Sequence, residues 1–218
     1  MKQYKTIHTF AGMEIIPGVL ALSGGLLKMT TDIREVSYGS AHGLSERSSY
    51  FSHDDIEKMK SRLPGGWRLP TAKEWRLILT KNRDVRPGSN VNGKPFCHYA
   101  FIGARICGKN HNALLIFPDG AVMHGRYINK PDENHQNPGF SEEDVKNYLA
   151  QGAAVIFALG HYDALNGIWS EYGISGFCWA ADRLDEDDAR GVYFDENYLF
   201  DDDSSDAAKS FHAVKLIK

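Results

Sequence analysis

Acids in runs, scattered histidines and a few cysteines are the residues here whose types and spacing suggest chemistry. Between Asp182 and Asp206 stand eleven acids against two cations, Arg183 and Arg190. A hard cation wants about six to eight oxygen ligands, so Asp201, Asp202 and Asp203 with Asp206, or Asp185 to Asp188, could hold calcium if their loops curled back. Neither run has the alternating spacing and central glycine of an EF-hand loop. The competing reading is a solvated acidic face, and on it no metal and no cofactor is expected. The nine histidines include His98, His111, His124, His135 and His161, none in an arrangement that aims two rings at one zinc. They read as surface or satisfied histidines. Cys97, Cys107 and Cys178 form no close pair, which suits buried thiols and leaves open one bridge with a leftover thiol. Cys97-His98 is a weak dyad, because strand neighbours point to opposite faces. Without a nucleophile elbow or a phosphate-cradling glycine loop, no catalytic residue is assigned.

The elements that must position these residues announce themselves at three helix starts. Ser52 with Asp55, Thr71 with Glu74, and Ser141 with Asp144 each pair a capping hydroxyl with an acid three residues on. The first helix carries Ile56, Met59 and Leu63 on one face and must end near Pro64-Gly65-Gly66. The second carries Trp75, Ile78 and Leu79, and the third Val145, Tyr148 and Leu149 before Gly152. Apolar runs at Ala113 to Phe117 and Ala153 to Leu159 read as strands, and Asp119-Gly120 as a hairpin turn towards Ala121 to Met123. Residues 82 to 95 and 129 to 139 read as surface loops, with Asn92-Gly93 a turn. From Gly176 onward, patches around Phe177 to Asp182, Gly191 to Phe200 and Phe211 to Lys218 suggest a three-stranded meander whose linking loops carry the acids.

At 218 residues, 42% hydrophobic and 11% aromatic, the chain can bury one substantial core, and one domain over residues 1 to 218 is expected. A formal charge of -3 supplies no basic field for nucleic acid. No segment reaches the roughly 18 to 20 apolar residues that cross a bilayer. The start has Lys2 and Lys5 before an apolar stretch, but Glu14 and Pro17 interrupt it, so no signal peptide is assigned and synthesis in the cytoplasm is expected.

Gly66-Trp67-Arg68-Leu69-Pro70-Thr71-Ala72-Lys73-Glu74-Trp75 resembles the Gly-x-Arg-Leu-Pro-Thr-x-x-Glu-Trp segment of formylglycine-generating enzymes and related C-type-lectin-like domains. Those relatives include repetitive surface proteins of gut bacteria and the variable binding proteins of diversity-generating retroelements. Gly176 to Ala181 is similar to a late Tyr-Trp-Ser-Ser strand of such domains, and Ala213 to Lys218 to their terminal strand, so the family-like core covers residues 66 to 218. The resemblance implies an α+β C-type-lectin-like fold, with two or three helices on a twisted antiparallel sheet and long loops. It also implies an opening strand within Glu14 to Leu22 that brings the chain ends together, the N-terminal strand and first helix occupying residues 10 to 65. The enzymes' Asn-Val-Trp-Glu-Trp and Arg-Gly-Gly-Ser-Trp segments and late cysteine pair are missing; Trp169-Ser170-Glu171 and Cys178 are distant echoes. Lys130-Pro131-Asp132 only partly matches the calcium-lectin tripeptides, so no calcium site is carried over.

What the resemblance then implies is a non-catalytic module that binds a protein or saccharide ligand, as a bacterial surface, phage tail or diversified binding protein does. Its site is expected on the C-terminal face at Trp179, Arg183, Tyr193, Asn197, Tyr198, Asp201 and Asp202, since tyrosine and asparagine give contact area and adaptable hydrogen bonds. Tyr193 and Tyr198 read equally well as capping the core from the strand surface. The alternatives are a degenerate oxidase of the formylglycine-generating type, or a structural subunit that forms homo-oligomers through the same face.

Overall fold

The computed structural model describes residues 9–23, 26–31, 47–63, 65–79, 90–91, 94–95, 98–106, 109–119, 140–171, 173–195, 199–212 and 214–218. Strands β1 (Thr9–Phe10) and β2 (Met13–Glu14) form a hairpin, and β3 (Val19–Ser23) lies between β4 (Leu26–Thr30) and β5 (Arg47–Ser48). Helix α1 (His53–Met59) passes into a 3-10 turn, Lys60–Arg62, and α2 spans Ala72–Ile78. Strands β6 (Asn90–Val91) and β7 (Lys94–Pro95) pair as a short hairpin inside the stretch expected to be loop.

Next come β8 (His98–Ile106), β9 (Lys109–Phe117), β10 (Phe140–Ser141), α3 (Glu142–Ala150) and β11 (Ala154–Phe157). The four strands make one sheet in the order β10-β8-β9-β11, parallel only between β10 and β8. Strand β12 (His161–Asp163) pairs with β13 (Ile168–Ser170) and with β17 (Ser210–Phe211). Between them, β14 (Gly176–Arg183), β15 (Asp188–Phe194) and β16 (Leu199–Asp206) form an antiparallel meander. The chain is therefore α+β.

All three hydroxyl caps form. Ser52 accepts the Asp55 amide, and Thr71 with Glu74 and Ser141 with Asp144 make reciprocal boxes. The apolar faces of the helices and the run Ala113 to Phe117 are buried. One expectation needs correction. The third strand of the meander is β16, so Asp201 to Asp206 lie on a strand and not in a linking loop, while the turn between β14 and β15 is acidic as foreseen. The hairpin expected at Asp119-Gly120 runs into residues outside the described ones. The Asp119 carboxylate accepts the amides of Ala11 (2.7 Å) and Gly12 (2.8 Å), holding the turn between β1 and β2 where both residues have positive φ. The expected loop at 129 to 139 lies outside the described residues, as do Ala121 to Met123.

The terminal segment, freed from the meander, closes the fold. Glu14 and Lys218 exchange backbone hydrogen bonds (3.2 and 2.9 Å), Ile16 donates to Leu216 and Leu20 to Val214. On its other side Ile217 exchanges bonds with Arg68 (2.9 and 3.0 Å). Lys215 in this segment is fully buried, and its ammonium donates to the carbonyls of Pro17 (2.6 Å), Gly18 (2.6 Å) and Val155 (2.7 Å). Burial, partly offset by the nearby Cys178, pushes this amine down to about 7. Three acceptors match the three protons of an ammonium, which favours the charged form against that push, although the Pro17 carbonyl also accepts the Val155 amide (3.2 Å).

Candidate functional site: an aromatic row on the C-terminal meander

The meander is fixed by the segment from Arg68 to Trp75. The Thr71 hydroxyl accepts the Glu74 amide (3.2 Å), and the Glu74 carboxylate accepts the Thr71 amide (2.7 Å). Both arms of Arg68 close on the same carboxylate at 2.8 and 2.6 Å. The Arg68 bond, with help from Thr71, holds Glu74 down to about 2. From this corner three bonds reach β14: Ala181 donates to the Pro70 carbonyl (2.7 Å), Ala72 to the Asp182 carboxylate and Trp75 Nε1 to the Trp179 carbonyl (3.3 Å). A capped turn thus anchors the sheet.

The meander packs one face, through Cys178, Ala180, Val192, Phe194 and Leu199, on the larger core. On the other face a row of rings runs from solvent into the interior. Phe200, 51% exposed, lies 6.1 Å from Tyr193 across the strands, and Tyr193 is paired in register with Phe177. Phe177 stands 4.2 Å from His212 and 5.1 Å from Trp179; Trp179 meets His53, the first residue of α1, edge-on at 5.6 Å. Gly191 makes room for this stack, since a Cβ there would collide with the Phe177 ring and the Cys178 carbonyl.

The inner end of the row is unusual. Neither ring nitrogen of His53 has a well-formed hydrogen bond, nor has His212 Nδ1, although both rings are buried; His212 Nε2 reaches the Ser205 hydroxyl at 3.2 Å. Desolvation pushes both imidazoles down, aided at His53 by the Arg183 guanidinium and at His212 by His161. Trp179 Nε1 donates to the Phe51 carbonyl at 2.8 Å.

The outer end is rimmed by acids. Tyr193 donates to Asp195 at 3.3 Å; burial first, then the nearby Glu171 carboxylate, pushes its phenol up to about 12. Glu171 holds a left-handed φ of 60° and accepts the hydroxyl of Ser175. Asp203 lies farther in, opposite Gly191, which pairs with Trp179.

Of the residues expected at the site, the meander brings Trp179, Arg183 and Tyr193 onto its frame, but in different roles. Trp179 has no exposed surface and supports the row from within; it cannot touch a ligand, which corrects its assignment. Arg183 is committed to Asp54 and to the Glu186 carbonyl. Tyr193 is half-buried and lines the open end. Asn197 and Tyr198 lie outside the described residues; Asp201 and Asp202 lie on β16, with side chains outside the described part. Phe200, His53 and His212 were missed. Phe200 follows a buried leucine in the run from Tyr198, so period-two alternation would have exposed it.

The acids of the 185 to 188 turn are partly spent on backbone: Asp185 accepts the amides of Asp187 and Asp188 at 2.9 and 2.8 Å. Asp206 likewise accepts those of Ala208 and Lys209 at 3.0 and 2.9 Å. Among the described residues no three histidines, cysteines or acids gather as a metal site. A separate cleft of about 240 Å³ lies between α1 and the Arg68 segment, lined by Ile56, Leu63, Leu69 and Ala181 with Glu57 and Lys60 at its mouth. Cys178 is free and buried, and burial pushes its thiol up to about 12.

Compared with protein-family models, curated proteins and solved structures, the chain matches none. Among the described residues no helix is long and apolar enough to cross a membrane.

Proposed function

We propose that the chain is a non-catalytic recognition module of C-type-lectin-like build, which binds its ligand at the open end of the aromatic row on β14 to β16. The observation that carries the reading is Phe200, half exposed on a tyrosine at the solvent end of a stack that is otherwise buried. Exposed aromatics set against a rigid frame are the usual anchors of interfaces. Support for the build comes from the joined chain ends and from the capped Arg-Leu-Pro-Thr corner that bonds to β14. An adhesin of a cell surface or phage tail, or a diversified binding protein, would use such a face. The oxidase alternative gains nothing from Cys178, a buried thiol held protonated at neutral pH.

Arrays of peptides and glycans test the proposal. Wild-type protein should capture at least one class of probe, and the double variant Tyr193→Ala/Phe200→Ala should lose it while its circular dichroism stays unchanged. Identical capture by the two proteins, or none by either, would overturn it.

A further inference from the structure

Asparagine followed by glycine is a chemically unstable pair. The glycine nitrogen, unhindered by a side chain, can attack the carboxamide carbon of the residue before it. The chain has two such pairs: Asn92-Gly93, which lies outside the described residues, and Asn166-Gly167 in the turn that joins β12 to β13. Asn166 and Gly167 are both exposed, so water reaches them. Gly167 holds a left-handed φ of 66°, and a Cβ there would meet nothing within 4 Å, so the space beside this stretch of backbone is open.

The turn is built around Asp163. Its Oδ1 accepts the amides of Leu165 (2.8 Å) and Asn166 (3.4 Å), and its Oδ2 accepts the Asn166 side-chain amide (2.5 Å). The side-chain bond first, then the two backbone bonds, hold the Asp163 carboxyl below the usual carboxylate range, so it is ionised at neutral pH. A carboxylate in that place needs a donor at position 166. An acid there would withdraw the donor and set a second negative charge against the first, and like charges so close repel. The disturbance has a boundary one residue back, where buried Tyr162 meets Phe211 edge-on at 6.0 Å and keeps β12 on β17.

We infer that Asn166-Gly167 is a site of spontaneous deamidation, a one-way covalent change that opens the β12–β13 turn by placing an acid against Asp163. The Gly167 nitrogen bonds to Asn166 Cγ, the Cγ–Nδ2 bond breaks, and ammonia leaves with the proton of the Gly167 amide. Water then adds across one of the two carbon–nitrogen bonds of the resulting cyclic imide. Opening at Cγ gives aspartate with the backbone restored; opening at the backbone carbonyl gives isoaspartate, with the chain rerouted through the side chain. Nothing is oxidised or reduced, and water is the only co-reactant.

To test the reaction, the full chain is held in mildly alkaline buffer, folded or unfolded in urea, and position 166 is followed by peptide mapping with mass spectrometry. The folded chain should gain an acid there. An amide retained at 166 in the folded chain after the unfolded chain has converted would overturn the inference. The consequence is read separately from the Leu165 amide by hydrogen exchange. Asn166→Asp should lower its protection about tenfold, and Asn166→Ser, which removes the donor without adding charge, should lower it less. Both changes are at an exposed turn, and circular dichroism verifies that folding is intact. Wild-type protection in Asn166→Asp would overturn the opening of the turn, and equal loss in the two variants would overturn the part assigned to charge.

Discussion

Two regions of this molecule bury a basic side chain, and they do it in opposite ways. At the terminal clasp, Lys215 spends all three of its protons on carbonyls from two distant segments. At the inner end of the aromatic row, His53 and His212 sit among rings with nitrogens left over. The first arrangement favours its charge, because only the ammonium has a proton for each of the three carbonyls. The second disfavours it, because the cost of burying the charge outweighs what Glu57 and Asp54 return at His53 and finds no acid to offset it at His212. A buried base is therefore a fastener or a weak point according to the acceptors around it.

The largest expected effect lies at the clasp. Lys215→Met keeps the length of the side chain but takes the ammonium from the Gly18 and Val155 carbonyls, while Pro17 keeps the Val155 amide, and should lower stability by about 3 kcal/mol in urea unfolding. An unchanged midpoint would show that the clasp contributes nothing. Next comes pH. The histidines have folded values below the ordinary 6.5, so above 6.5 both states are neutral there and stability is whole. As pH falls below 6.5 the unfolded chain takes protons that the folded chain refuses, and stability declines. The fall should set in as pH drops through 6.5, above the window from 4.5 to about 2 in which Glu74 loses its own contribution. His53→Leu should make it shallower and leave the share that His212 carries; an equal slope in the variant would exonerate His53. The smallest effect belongs to its outer end, where Phe200→Ala should change stability by no more than about 0.5 kcal/mol, because half of that ring is already in water.

Local signals in the sequence were strong where a few neighbouring residues decide the outcome. Thr71 with Glu74, and Ser141 with Asp144, specify their helix starts without help from the rest of the chain. Ala113 to Phe117 could only be a buried strand. The joined chain ends were accessible only through the family resemblance, since no local pattern says that residue 14 meets residue 218. Strand β16 defeated the pattern because it lies at a sheet edge, where alternation with apolar residues is not required, and its Asp203 and Asp206 are taken up by backbone amides. Trp179 looked like a contact residue because its type suits one, yet its indole is needed to brace Phe51. Lys215 sits in a run that reads as a strand with an outward lysine, and the three carbonyls it meets come from residues 60 and nearly 200 positions away.

The antiparallel meeting of the two chain ends also sets how the molecule answers a pull. Tension applied between residues 14 and 218 loads the paired strands like a zipper, one rung at a time, beginning with Glu14 and Lys218 and moving to Ile16 and Leu216. Such peeling needs little force until it arrives at Lys215. There three bonds to two separate segments must rupture together, so a tether drawn taut would fray by a few residues and then hold.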